Sequence, residues 1–387
     1  MTLKLDEVQS YFDGTHELHL TFDDFHINID GIDIYMNNVP LLKNNNNNEF
    51  FFPDKTKYII QHFMTQAKEQ KKDKVTLKPN RNTLLKRYDY CPDLNFIYSS
   101  IDYEYIPGLV RPWDEGFLTP VFFNLAVLNK YSQHPEYKLD LFADTYGSIN
   151  CGNEWNIQFG INKNKKVIMW LGDISGLPIN EQYFLRSENI ESDHDIHSEF
   201  YNGQIDVQWS ESSKQNKLFE LRSTFKTLVS EKYDLDLYIL DGEVSKIFEN
   251  LDRPVFWEDK HISPVVESLN RIFVESINSK GIKEKLQGLV HKKEIESKGS
   301  MKIFELWLEK VLSLEVADIK EIMCPFYVLN DFRIITCHLC SDESRVSRLE
   351  SIKERLNLEA GASNEAIFDK LIEETSISYS KFINAIQ

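Results

Sequence analysis

Residues 325–340, PFYVLNDFRIITCHLC, decide how the C-terminal third of the chain is read. Val328, Leu329, Phe332, Ile335 and Leu339 recur at helical spacing and define a stripe for a core. Arg333 and His338 lie off that stripe. Five positions apart at about 100° per residue, two side chains on one helix point about 140° away from each other and sit about 7.5 Å apart along the axis. One helix brings such a pair together poorly. Two copies facing across a two-fold axis would place both pairs in one cleft.

Such a cleft suits RNA cleavage without a metal, because the ribose 2′-hydroxyl is an internal nucleophile. An imidazole titrates near neutral pH, so His338 can take the hydroxyl proton or give one to the leaving 5′-oxygen. A guanidinium stays charged and forks two donors onto a phosphorane, the role open to Arg333. Asn330 and Asp331, one turn earlier, are candidates to orient the arginine or to bind phosphate oxygens.

Residues 329–339, LNDFRIITCHL, resemble the Arg-x4-6-His signature of the HEPN-domain ribonucleases, all-α domains that dimerise and usually carry the motif near the start of a helix. The lead-in PFYVLNDFR is similar to the family's frequent Pro, aromatic or Leu, then Leu-Asn-Asp-Leu-Arg. The resemblance spans roughly residues 255–387. It implies that Arg333 and His338 are the catalytic pair; Tyr327, Asn330 and Asp331 nearby are the candidates to orient substrate. It further implies an RNA substrate, products with 2′,3′-cyclic phosphate and 5′-hydroxyl ends, no metal or other cofactor, and a homodimer formed through the C-terminal helices. Many members carry Asn, Asp or His directly after the arginine, where this chain has Ile334. The alternative is therefore an inactive HEPN-like dimerisation or nucleotide-binding module, with function in N-terminal partner binding. The domain order resembles bacterial abortive-infection effectors, which implies an anti-phage or toxin role and a phage-derived or protein trigger at the N-terminal region.

Composition bounds the rest. A hydrophobic fraction of 42% in 387 residues suffices for sizeable cores in two domains. No apolar run approaches the roughly 20 residues a membrane helix needs, and MTLKLDEVQSYFDG at the start reads as neither a signal nor a transit peptide. Cys91, Cys151, Cys324, Cys337 and Cys340 are few and irregularly spaced, as expected of reduced thiols. Together these features point to a cytoplasmic protein without membrane contact. The net charge of −17 excludes coating of nucleic acid by bulk electrostatics. Residues 255–387 carry 18 Lys and Arg against 22 Asp and Glu, so −13 of the total lies on residues 1–254. The C-terminal third is nearly neutral and can host a local cationic site.

The fold class expected is α+β. Residues 1–250 read as a β-rich mixed region for sensing or regulation, divisible at about residue 100, and residues 251–387 as an all-α bundle. Alternation over 15–37 predicts a hairpin turning at Asp30-Gly31, and INKNK joins strands at 154–160 and 166–172. Segment 116–131 predicts a short strand and then a helix, while 55–70 and 215–229 predict helices. Lys71-Lys72-Asp73-Lys74 reads as a solvated helix end, and Asn44–Asn48 as a polar loop. Beyond residue 254, helical periodicity runs over 262–278, 303–312, 316–323, 325–340, 345–356 and 364–386.

Two further clusters carry potential chemistry. Asp193, His194, Asp195 and His197 are of types that hold Zn²⁺ or Mn²⁺, although ligands usually come from separated elements and this stretch reads more simply as a solvated loop. Cys337 and Cys340 lack a second pair to complete a tetrahedron. Trp170, Gly172, Asp173, Glu181, Gln182 and Arg186 fit either a recognition pocket or a strand–turn–helix unit, with the second favoured.

Overall fold

Leu18, Leu20, Ile27 and Ile29 alternate with polar residues, and the strand they form turns back at once on Ile32, Ile34 and Met36. The structure is a computed structural model describing residues 18–44, 49–77, 86–111, 113–205, 207 and 213–387. The chain divides into two compact units, residues 1–211 and 212–387. The first is β-rich and the second helical, so the protein is of the α+β class.

In the first unit, β1 (Leu18–Ile29) and β2 (Ile32–Asn44) pair antiparallel. Asp30 and Gly31 both take positive φ, which suits a two-residue hairpin turn. β3 (Phe50–Phe51) and β4 (Lys74–Leu77) line the other edge of β2, β4 running parallel to it. Helix α1 (Asp54–Glu69) connects them and lays Ile60, Met64 and Ala67 on the sheet. β4 replaces the helix end read at Lys74: that side chain opens a strand and its ammonium lies 4.4 Å from the Tyr35 ring centroid. Four residues are too short for a period to show. Asn44 is buried at the end of β2, and the other four asparagines of that run lie outside the described residues.

After α2 (Ser100–Tyr105) comes a second, wholly antiparallel sheet. Its strands are β5 (Pro120–Asn124), β6 (Lys138–Ala143), β7 (Tyr146–Cys151), β8 (Trp155–Ile161), β9 (Lys166–Trp170) and β10 (Asn189–Ile190), in the order β10-β5-β9-β8-β7-β6. β5 followed by α3 (Leu128–Gln133) matches the strand and helix expected in 116–131, and β8–β9 the expected hairpin. α4 (Leu171–Ser175), α5 (Ile179–Glu188) and α6 (Glu199–Gln204) complete the unit.

The helical unit contains α7 (Lys214–Tyr233), α8 (Asp241–Glu249) and α9 (Asp259–Asn270), the last continuing into a π turn, Arg271–Glu275. Then follow α10 (Ser279–Lys285), α11 (Lys292–Glu296), α12 (Ser300–Lys310), α13 (Val316–Cys337), α14 (Asp342–Arg355) and α15 (Asn364–Ile386). Its first helices lie before residue 250, where the change of texture in the sequence suggested the boundary. The reason is long-range: Phe225 of α7 stacks on Phe382 of α15 and meets Tyr379, in one core with Leu218 and Val229. Periodicity identifies such a helix without revealing a partner 150 positions away.

The segments read as separate helices at 316–323 and 325–340 are one helix, with Pro325 inside it. A proline there removes one backbone bond and crowds the preceding turn. Ser378 of α15 donates to the Ile322 carbonyl in that turn at 2.7 Å, while Met323, Phe326 and Val328 are buried around it. Packing on both sides of the proline outweighs the local preference to break.

Phe225 is fully buried among aromatic rings, so Phe225→Ala is expected to destabilise the helical unit by about 3–5 kcal/mol. Urea unfolding followed by far-ultraviolet dichroism measures this. A loss under 1 kcal/mol would contradict the packing described.

Candidate functional site

Helix α13 ends one residue short of His338, and the reason is visible in its last carbonyls. Ser263 of α9 donates to Thr336 O at 2.7 Å, Arg345 of α14 donates to Ile335 O at 3.0 Å, and the His338 amide donates to Ile334 O at 3.2 Å. Side chains from two neighbouring helices thus take groups that a further helical turn would have used. Ser341 then caps α14, its Oγ accepting from the Ser344 amide. His338 therefore has extended backbone, φ −117° and ψ 154°, rather than the helical geometry expected from the periodicity. Leu339, placed on the core stripe by its spacing, is instead fully exposed at 104%. The angular relation of two side chains on one helix does not apply to Arg333 and His338.

Arg333 sits one turn from the end of α13. Its Nε donates to Glu267 of α9, its Nη2 lies 3.5 Å from the other oxygen of that carboxylate, and Glu275 of the π turn is 3.7 Å away. The Arg333 side chain is 23% exposed, and its guanidinium is held from one side. Its hydrogen bond and charge hold the Glu267 carboxyl below the usual range, and Glu267 in turn raises Arg333. The His338 side chain is exposed and has no hydrogen-bond or ion-pair partner among the described residues.

Two of the expected orienting residues, Asp331 and Tyr327, are engaged by neighbouring helices. Asp331 is two positions from Arg333, about 200° around the helix, so it faces away from the guanidinium. It accepts from Arg348 at 2.9 Å and from Arg355, both on α14, and so fastens α14 to α13. Tyr327 donates to Glu305 of α12 at 2.7 Å beneath the Lys302 ammonium; burial, then that hydrogen bond, pushes its hydroxyl up to about 12. Asn330 is half-buried on α13 between these contacts. Arg333 is oriented by Glu267, a residue with no sequence signal, because the pair is 66 positions apart.

In the first unit the stretch 192–197 is organised by a residue that periodicity did not single out. Asp102 of α2 is fully buried; it accepts from Ser192 Oγ at 2.6 Å and from His194 Nδ1 at 2.5 Å. His194 has left-handed backbone, φ 62°, an uncommon conformation for a residue with a side chain. Its ring meets the edge of Phe22 and its side chain is 29% exposed. Asp193 accepts from Asn162 and Asn164 and lies 3.4 Å from Lys166, while Asp195 lies 3.5 Å from Lys163. The carboxylates expected as ligands are thus engaged by amides and ammonium groups. Among the described residues no three His, Cys, Asp or Glu side chains converge to hold a metal.

The cluster around Trp170 is a strand–turn–helix unit. Trp170 is buried and donates to Gln204, and a Cβ at Gly172 would stand 2.2 Å from the Phe117 ring. Gln182 donates to the Leu177 carbonyl and Arg186 to that of Leu94. Glu181, 1% exposed, accepts from Lys130, Tyr131 and Tyr137, so its buried charge is compensated. Burial of Asp173 pushes its carboxyl up to about 6, the Arg111 charge opposing this.

Comparison of the chain with protein-family models, curated proteins and solved structures finds no match.

Burial of His194 opposes its protonation, but the hydrogen bond to Asp102 and that carboxylate's charge outweigh it, with Asp193 adding to them and Lys166 opposing, so its pKa is raised. A raised folded-state value means stability that is present below the unfolded histidine value of about 6.5 and is lost as pH rises through the folded one. Asp102→Asn should lower the His194 titration midpoint in proton NMR and flatten that part of the stability profile. An unchanged midpoint would remove Asp102 as the cause.

Proposed function

We propose that the helical unit is a metal-independent endoribonuclease of the HEPN type, acting as a homodimer in anti-phage defence or as a toxin, with the β-rich unit sensing a trigger or restraining cleavage. The observation that carries the reading is a guanidinium fixed from one side, Arg333, with an imidazole five positions on, His338, that is exposed and has no partner among the described residues. Leu339, wholly exposed next to that imidazole, adds an apolar contact for a second copy of the helix end.

The chemistry divides between two copies. One His338 takes the proton of the ribose 2′-hydroxyl as its oxygen bonds to phosphorus. The His338 of a second copy, protonated, donates to the 5′-oxygen as the phosphorus–oxygen bond breaks. Arg333 stabilises the charge gathering on the non-bridging oxygens. The products carry a 2′,3′-cyclic phosphate and a 5′-hydroxyl. Residues 1–254, with −13 of the net charge, would repel RNA until a trigger alters that field.

One observation favours a second reading. Glu267 and Glu275 already occupy Arg333, and a phosphate would have to compete with both carboxylates. With Ile334 following the arginine, this fits an inactive module that dimerises or binds nucleotides, with function in N-terminal partner binding.

Incubation of the full chain with structured and single-stranded RNA in EDTA separates the two. Cleavage giving cyclic phosphate ends is expected, and Arg333→Ala and His338→Ala should each lower its rate at least 100-fold. The exposed His338→Ala variant should unfold within about 0.5 kcal/mol of the wild type. A His338→Ala variant as active as wild type, or a dimer inert towards every RNA, would overturn the nuclease reading; the inert dimer would leave the second.

A further inference from the structure

Among the described residues, two strands cover the edge of β2 facing away from β1. β4 pairs with residues 33–36 and β3 with residues 42–43, and among the described residues no strand lies beside residues 37–41 on that edge. The backbone in the gap suits that position. Asn38 takes left-handed φ, 52°, and turns its amide onto Asp24 of β1, while Pro40 has no N–H to leave unpaired. The Pro40 carbonyl accepts from Thr56 of α1.

Where β4 ends, α1 spans the gap without filling it. A cavity of about 440 Å³ remains, walled by Met36, Val39, Pro40, Ile60, Phe63 and Leu77. Met36 and Ile60 are 1% and 0% exposed, so its floor is the core of the sheet itself. Its size falls within the range of about 300–1,000 Å³ typical of small-molecule sites. The hydroxyl-bearing residues among the described wall residues are Thr56, Thr76 and Tyr105. That of Thr56 is engaged, whereas those of Thr76 and Tyr105 make no hydrogen bond among the described residues. Among the described residues, no carboxylate, ammonium, guanidinium or imidazole belongs to the wall.

We propose that this cavity is a binding site for a small, uncharged, mainly apolar molecule bearing one hydroxyl or carbonyl group, which the free Thr76 and Tyr105 hydroxyls would meet. An apolar wall without charges favours burial of a hydrocarbon body. It penalises an ionised headgroup, which would be left without a counter-charge. The hydroxyls of Thr76 and Tyr105 would select one polar group. The site belongs to the β-rich unit, and it stands whether or not the helical unit cleaves RNA.

The probes are 1-octanol and octanoate, which share a chain and differ in charge, added to the full-length protein. 1-Octanol should raise the unfolding temperature with saturation and shift the ¹³C-methyl resonance of Met36 over the same range. Octanoate at neutral pH should bind at least tenfold more weakly. Val39→Phe fills the cavity and should weaken 1-octanol at least tenfold. Tyr105→Phe keeps the shape, removes one hydroxyl and should weaken it about threefold, which serves as the test if Val39→Phe does not fold. Equal binding of octanoate, a Met36 methyl that never moves, or 1-octanol affinity unchanged in the folded variants overturns the proposal. An unmoved Met36 methyl would mean that the chain itself closes the space.

Discussion

Burial of α13 is the constraint from which the arrangement of the helical unit follows. Ile319, Ile322, Met323, Phe326, Val328, Leu329, Phe332 and Ile335 are all buried along one 22-residue helix, so its neighbours must cover more than a single stripe. α9, α12, α14 and α15 do so. Three half-buried groups on this helix each meet a partner from the helix packed beside them: Tyr327 with Glu305 of α12, Asp331 with the arginines of α14, Arg333 with Glu267 of α9. These contacts satisfy groups that burial would otherwise leave costly, and they fix which helix lies on which side.

The same constraint explains why the motif does not sit within one helix. The last carbonyls of α13 are taken by Ser263 and Arg345, the chain leaves the helix, and His338 and Leu339 reach solvent. Arg333, a turn earlier, stays under the restraint of α9. The result is one cation held by a carboxylate and one exposed imidazole, without a partner among the described residues, at the same end of a helix. In the β-rich unit the corresponding organiser is Asp102, whose buried carboxylate holds both Ser192 and His194 and so fixes a loop that has no regular structure.

Residues 18–36, 154–170 and 364–386 were legible because local patterns there agree with tertiary burial. The hairpin turn at Asp30-Gly31 and the cap at Ser363, whose Oγ accepts from the Ala366 amide, are local chemistry. β4, the continuity of α13 through Pro325 and the division of the units before α7 were not legible. Each depends on a partner far away in sequence: β2 for β4, Ser378 for the turn before Pro325, Phe382 for α7. Of the candidate site, the residue types and spacing were readable, but their orienting partners were not.

By itself, the sequence determined the α+β class, the hydrophobic faces of the helices and the presence of Arg333 and His338 as off-core groups, because these follow from composition and from a period of two or 3.6 residues. Only the tertiary structure decided that Asp331 holds α14 and not Arg333, that Glu267 orients the arginine, and that His338 lies beyond the helix end. Periodicity fixes a side chain's direction around its own axis. It carries no information on which neighbour arrives to meet it, and the neighbour decides whether a charge is satisfied, buried or left free.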